Sequence, residues 1–195
     1  MNDPGTASLE LSPTLWRTCR ALANRGRLAL LRCVWDHPAE SVSRLARLTG
    51  QSLPRASQSL RSLNARGLLA VERVGSAVYY RLEADPAVAE ATDLVAALRQ
   101  ELRRGRRPAD RLFAALTALT HPRRVRLVYV LGREPLLGVT ALRRRTGMSA
   151  DALHRHLNKL MRRGWIGRTK GRYRLLQQPG VLPRVLIRLA RRRPA

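Results

Sequence analysis

The sequence predicts a mainly α-helical chain made of two similar units, each closed by a small β-hairpin. Three observations predict it. First, residues 21–73 recur in register at 118–170: adding 97 pairs Ala21 with Ala118, Arg27 with Arg124, Leu45 with Leu142, Thr49-Gly50 with Thr146-Gly147, Ser52 with Ser149, and Leu60, Leu63 and Arg66-Gly67 with Leu157, Leu160 and Arg163-Gly164. A period of this length exceeds the roughly 20–50 residues of stacked solenoid repeats, so each copy reads as a small domain with its own core. Second, the chain is 45% hydrophobic but only 4% aromatic, so its cores are built from Leu, Val and Ala, which favours helices over sheets. Third, apolar spacing is helical up to Gly67 and becomes extended after it.

Taken in order, Ser12-Pro13 is expected to cap a first helix carrying Leu15, Trp16, Cys19 and Leu22. Asn24 opens the next, with Leu28, Leu31 and Trp35 on one face, and His37-Pro38 stops it. Ser41 or Ser43 opens a short helix with Val42, Leu45 and Leu48, ended by Gly50. Ser52 caps a further helix burying Ala56, Leu60 and Leu63, which Gly67 terminates. Leu68–Arg73 and Ala77–Leu82 then read as a hairpin around Gly75-Ser76.

Between the copies, Asp85-Pro86 is expected to cap a helix in which Val88, Ala91, Val95, Leu98 and Leu102 step by three and four, followed by a basic linker, Arg103 to Pro108. The second copy then repeats each step. Leu112, Phe113, Leu116 and Leu119 fall on its first helix, and Val125, Val128 and Leu131 on its second. Ser149 caps the helix that buries Leu153, Leu157 and Leu160, and a shorter hairpin turns at Lys170-Gly171. A short basic helix at about 181–193 ends the chain.

Helix, tight turn, second helix and β-hairpin is the winged helix-turn-helix arrangement, in which the helix after the turn is slim enough to enter a major groove. The fold class expected is therefore tandem winged helix-turn-helix domains joined by an amphipathic helix. The units are read at 12–84 and 109–178, with 85–108 as connecting helix and linker and 179–195 as the C-terminal helix. The chain resembles the arsenic-repressor-type (ArsR-like) winged-helix transcriptional regulators. The resemblance lies in Cys19–Leu31, Val42-x-x-Leu45-Ala46-x-x-Thr49-Gly50, Leu60-x-x-Leu63-x-x-Arg66-Gly67-Leu68-Leu69 and the wing Val78-Tyr79-Tyr80-Arg81-Leu82. Ala118–Arg124 and His154-Arg155-His156-Leu157 carry it in the second copy, so that it covers roughly 12–84 and 109–176.

The resemblance implies a DNA-binding regulator, with the 85–104 stretch standing where the family's dimerisation helix lies. A homodimer through Val88, Val95, Leu98 and Leu102 is one expectation; an amphipathic helix that merely closes the first domain is the other. Many members sense metals through Cys or His on the pre-turn helix or the last helix. Here Ser41–Thr49 has neither Cys nor His, and 85–104 has no His. Cys19 and Cys33 alone make a poor metal site and are read as buried core residues. No metal, cofactor or effector is assigned.

Charge points the same way. The net charge is +25 and 36 of the 38 basic residues are Arg, whose permanent charge and forked geometry suit phosphate. It is unevenly spread: residues 1–100 hold 13 basic and 9 acidic residues, residues 101–195 hold 25 and 4. The expected partner is double-stranded DNA. No run approaches the ~18 apolar residues of a membrane span and no signal-peptide pattern opens the chain, so a cytoplasmic, nucleoid-associated location is expected. The chain carries no phosphate-cradling glycine loop, ligand cluster or nucleophile with a base, and an enzyme is not expected.

On the first recognition helix the outward residues are read as Pro54, Arg55, Ser57, Gln58 and Arg61. Arg55, Gln58 and Arg61 are base-reading candidates, because Gln can read adenine and Arg guanine bidentately. On the second they are read as Ala152, His154, Arg155, Asn158 and Arg162, with Asp151 near the cap and Arg155 and Asn158 as the readers. Arg73, Arg168, Lys170 and Arg172 on the hairpins, and Arg143, Arg144 and Arg145 before the second turn, suit phosphates or the minor groove. The leading reading is a repressor acting by promoter occlusion, with the second copy anchoring on phosphate. The alternatives are a basic architectural or RNA-associated protein without sequence readout, and a chain whose first copy docks protein.

Overall fold

The computed structural model describes residues 14–75, 77–104 and 108–192. The first half runs α1 (Leu15–Leu22), α2 (Arg25–Asp36), α3 (Val42–Leu48), α4 (Leu53–Asn64), β1 (Ala70–Val74), β2 (Ala77–Arg81) and α5 (Ala91–Arg103). The second runs α6 (Pro108–Ala118), α7 (Pro122–Arg133), β3 (Leu137–Gly138), α8 (Val139–Thr146), α9 (Ala150–Arg162), β4 (Ile166–Thr169), β5 (Arg172–Leu175) and α10 (Val181–Arg192). The protein is thus mostly helical with small antiparallel hairpins, as a winged helix-turn-helix requires.

Local chemistry sets most boundaries. Asn24 accepts a hydrogen bond from the Arg27 amide at 3.0 Å, Ser41 from Arg44 at 3.3 Å and Ser149 from Ala152 at 3.4 Å, each satisfying an amide that the first turn leaves over. Ser52 occupies the N-cap of α4 as expected, but its side chain makes no capping bond. The second hairpin turns through Lys170 (φ 46°) and Gly171 (φ 73°), the left-handed pair that a two-residue turn matched to strand twist needs. Ser12, Pro13 and Ser76 lie outside the described residues.

Three expectations need correction. The connecting helix starts at Ala91, not at Asp85-Pro86. The Asp85 amide donates to the Gly67 carbonyl, the Asp85 carboxylate accepts from Ala87 in a tight turn, and Val88 lies so close over Gly67 that a Cβ there would meet it at 2.8 Å. Tertiary contact therefore uses up six residues that periodicity assigned to the helix. A third strand, β3, joins the second hairpin in the order β3-β5-β4, pairing Leu137 with Tyr173. The corresponding place in the first half holds a single bridge, Ser41 to Tyr79. Ala152 is buried, not outward.

One hydrophobic cluster runs through both halves. Where the halves meet, α1 packs on α6 and α5 on α10; α1 touches α7 as α6 touches α2, and α1 touches α10 as α6 touches α5. That reciprocal exchange is the contact pattern of an isologous, twofold pairing, here inside one chain. α5 and α10 run antiparallel: Glu101 near one end accepts from the Val181 amide at 2.6 Å, and Asp93 near the other pairs with Arg188 at 2.9 Å and Arg192 at 3.0 Å. Val95, Leu98 and Leu102 are buried in this seam together with Leu182, Leu186 and Leu189, and Val88 is packed over Gly67. Three of the four side chains read as a homodimer surface, Val95, Leu98 and Leu102, are therefore buried within the same chain, and Val88 is half-buried.

Candidate nucleic-acid interface

The second helix-turn-helix is α8, a turn, and α9. Gly147 closes α8 at φ 69°, a left-handed conformation that lets the chain reverse within a few residues, and its amide donates to the Arg143 carbonyl at 2.8 Å. On α9 the apolar positions fall on one stripe. Ala152, Leu153, His156, Leu157 and Leu160 are buried, while Asp151, His154, Arg155, Asn158, Lys159 and Arg162 are exposed. Of the expected outward set only Ala152 faces in. Lys159 was missed, although its place four residues after Arg155 puts it on the same stripe.

Two aromatic contacts seat this helix and its wing. The His156 ring packs on His121 of the α7 N-cap, ring centres 4.5 Å apart. Burial first, then the neighbouring His121 and Arg124, push the His156 imidazole down to about 4 and keep it neutral. His154, two residues earlier and on the opposite side of the helix, is exposed, with its Nδ1 3.0 Å from the Ala150 carbonyl oxygen. On the wing, the Arg168 guanidinium lies 5.7 Å from the centre of the buried Tyr173 ring.

That wing presents Arg168, Lys170, Arg172 and Arg174, all exposed, and 166–175 contains no acidic residue. Arg143 and Arg144 are exposed on α8 beside it. Arg145 differs: its guanidinium forks onto Glu134 at 2.9 and 3.1 Å, so its charge is already answered. Arg162, at the end of α9, also borders a cavity of about 480 Å³ between α6, α9 and α10, together with Arg111, Arg163 and Trp165.

The first helix-turn-helix, α3 and α4, has the same plan with less charge. Arg55, Gln58 and Arg61 are exposed on α4, Ser57 is half-buried, and Ala56, Ser59, Leu60 and Leu63 are buried. Arg73 is exposed on β1, but the other wing cation, Arg81, is held by Glu72 at 3.0 Å and reaches Glu83 at 3.9 Å. The two wings therefore differ in field as well as in sequence: one is self-compensated, the other purely cationic.

Cys19 and Cys33 are free and buried, and burial raises both thiols. Among the described residues no group of three or more His, Cys, Asp or Glu side chains could hold a metal ion, and no helix is long and apolar enough to cross a membrane.

No curated protein matches the chain. A MarR family model matches residues 119–172, which take in α7, β3, α8, α9, β4 and the turn into β5. The segment with the outward cationic stripe is thus similar to the winged helix-turn-helix of DNA-binding transcription regulators.

Proposed function

We propose that the chain is a DNA-binding transcription regulator that represses by occluding a promoter, using two winged helix-turn-helix units at 12–84 and 109–178. The observation that carries this reading is the α9 surface. A helix that follows a tight turn aims Arg155, Asn158 and Lys159 outward beside a wing bearing four cations, in the segment similar to MarR regulators. In this reading α9 enters the major groove and Arg168, Lys170 and Arg172 grip backbone phosphate. Arg55, Gln58 and Arg61 on α4 serve the same role in the first unit, with Arg73 beside them.

The pairing that two ArsR-type chains achieve by association is carried here by α1, α5, α6 and α10 of one chain, and the protein acts on the nucleoid in the cytoplasm. Charge alone would equally suit a basic architectural or RNA-associated protein; what favours the regulator is the ordered polar stripe on α9. Fluorescence anisotropy with cognate and random duplexes across a salt series tests it. Arg155→Ala is expected to cost about 1–3 kcal/mol on the cognate site and to relax preference at one base pair. Arg172→Ala is expected to weaken all duplexes alike and to lower the salt slope by about one. Equal losses for both variants on both kinds of duplex would remove Arg155 from the role of base reader.

A further inference from the structure

We infer that the chain takes an asymmetric duplex site, made of two different half-sites inverted relative to one another, and so binds DNA in a single orientation. The inference rests on the DNA-binding reading above and specifies its partner.

The inversion follows from the contacts between the halves. Because α1 meets α6, α5 meets α10 antiparallel, and the remaining pairs exchange reciprocally, a twofold rotation relates the two helix-turn-helix units. A duplex spanning two units so related meets α4 and α9 with opposite polarity and offers them half-sites in inverted order. A direct repeat would need a translation between the units, and the exchange pattern rules that out.

The inequality of the half-sites follows from comparing α4 and α9 position by position, 97 residues apart. The inner stripe keeps its Leu residues: Leu60 and Leu63 answer Leu157 and Leu160, all fully buried. None of the exposed α9 positions keeps its residue. Asp151 stands against Pro54, His154 against Ser57, Arg155 against Gln58, Asn158 against Arg61, Lys159 against Ser62 and Arg162 against Ala65.

The central two pairs are the informative ones. Going along the helix, the first unit offers Gln58 and then Arg61; the second offers Arg155 and then Asn158. Gln and Asn pair bidentately with adenine and Arg with guanine. The two half-sites therefore carry adenine and guanine preferences in swapped order. A homodimer of either unit would read a palindrome; this chain reads a site with a left and a right end.

The test is selection of bound sequences from random duplexes by the full-length chain at physiological salt, repeated with the double variant Gln58→Arg/Arg61→Asn. Both changes lie on the exposed face of α4, and circular dichroism of the variant confirms its fold. The expected wild-type result is a non-palindromic motif with two inverted, unequal parts. The double variant is expected to move the first half-site toward the second, so that a palindrome becomes the preferred duplex by about tenfold over the wild-type site. A palindrome for the wild type, a direct repeat, or a single half-site overturns the inference and leaves the DNA-binding reading standing. Binding without any sequence selection removes both.

Discussion

Glu101 is the residue whose loss says most about how the halves are held. It lies on α5 with only 7% of its surface exposed, beside the buried Leu98, Leu102 and Leu182. Its Oε1 accepts from the Val181 amide at 2.6 Å and the Leu182 amide at 3.3 Å, the first amides of α10. A carboxylate there satisfies donors that the first helical turn leaves unpaired and meets the positive end of the helix dipole. One hydrogen bond to a charged group contributes about 1.5–3 kcal/mol net, and the second, longer bond adds less. Glu101→Ala is therefore expected to destabilise the protein by about 2–3 kcal/mol, or roughly 5–10 °C in Tm for a chain of this size. Glu101→Gln keeps an acceptor but gives up the charge, and is expected to cost about 1 kcal/mol. Urea unfolding followed by far-ultraviolet circular dichroism measures both. If the alanine variant unfolds within about 0.5 kcal/mol of the parent, or the glutamine variant is as weak as the alanine one, the cap does not hold the seam.

Further outcomes test the site itself. Gly147→Ala places a Cβ where nothing lies within 4 Å, so its cost is the left-handed backbone alone (φ 69°), about 1–2 kcal/mol of unfolding free energy by denaturant titration; Asn there is expected to cost less. His156 sits near 4 in the folded protein against an ordinary 6.5, so the unfolded chain binds more protons between those values and stability falls as pH drops through that window. Burial lowers His121 as well, and it adds in the same direction. His156→Gln is expected to flatten the acid limb of a pH–stability curve by on the order of 1–2 kcal/mol, and an unchanged limb refutes the buried neutral imidazole. For DNA, the contrast between Arg155→Ala and Arg172→Ala, one specific to the cognate site and the other general, is read from anisotropy on two duplexes.

What the sequence made legible is what depends on neighbours along the chain. The Asn24, Ser41 and Ser149 caps, the Gly147 turn and the Lys170-Gly171 hairpin all follow from short-range hydrogen bonding or backbone freedom. The outward stripe on α9 was legible too, because helical spacing sorts Leu153, Leu157 and Leu160 from Arg155 and Asn158. Ala152 was misplaced because a small side chain gives the spacing little to read. What stayed hidden depends on residues distant in sequence. Val88 over Gly67 moved the start of α5, Glu134 engaged Arg145, and Glu101 became a cap for a helix eighty residues away. An amphipathic stripe states that a face will be covered and not by what, so the α5 seam could not name α10 as its cover.

On the proposed reading, joining both reading heads on one polypeptide changes how occupancy answers to dose. A regulator assembled from separate subunits must first find its mate, and at low copy number that encounter limits binding in a steep, second-order way. Here the mate is part of the same chain and packed against it through one shared core, so pairing does not depend on expression. If the chain acts as proposed, promoter occupancy should therefore track the amount of protein in simple proportion.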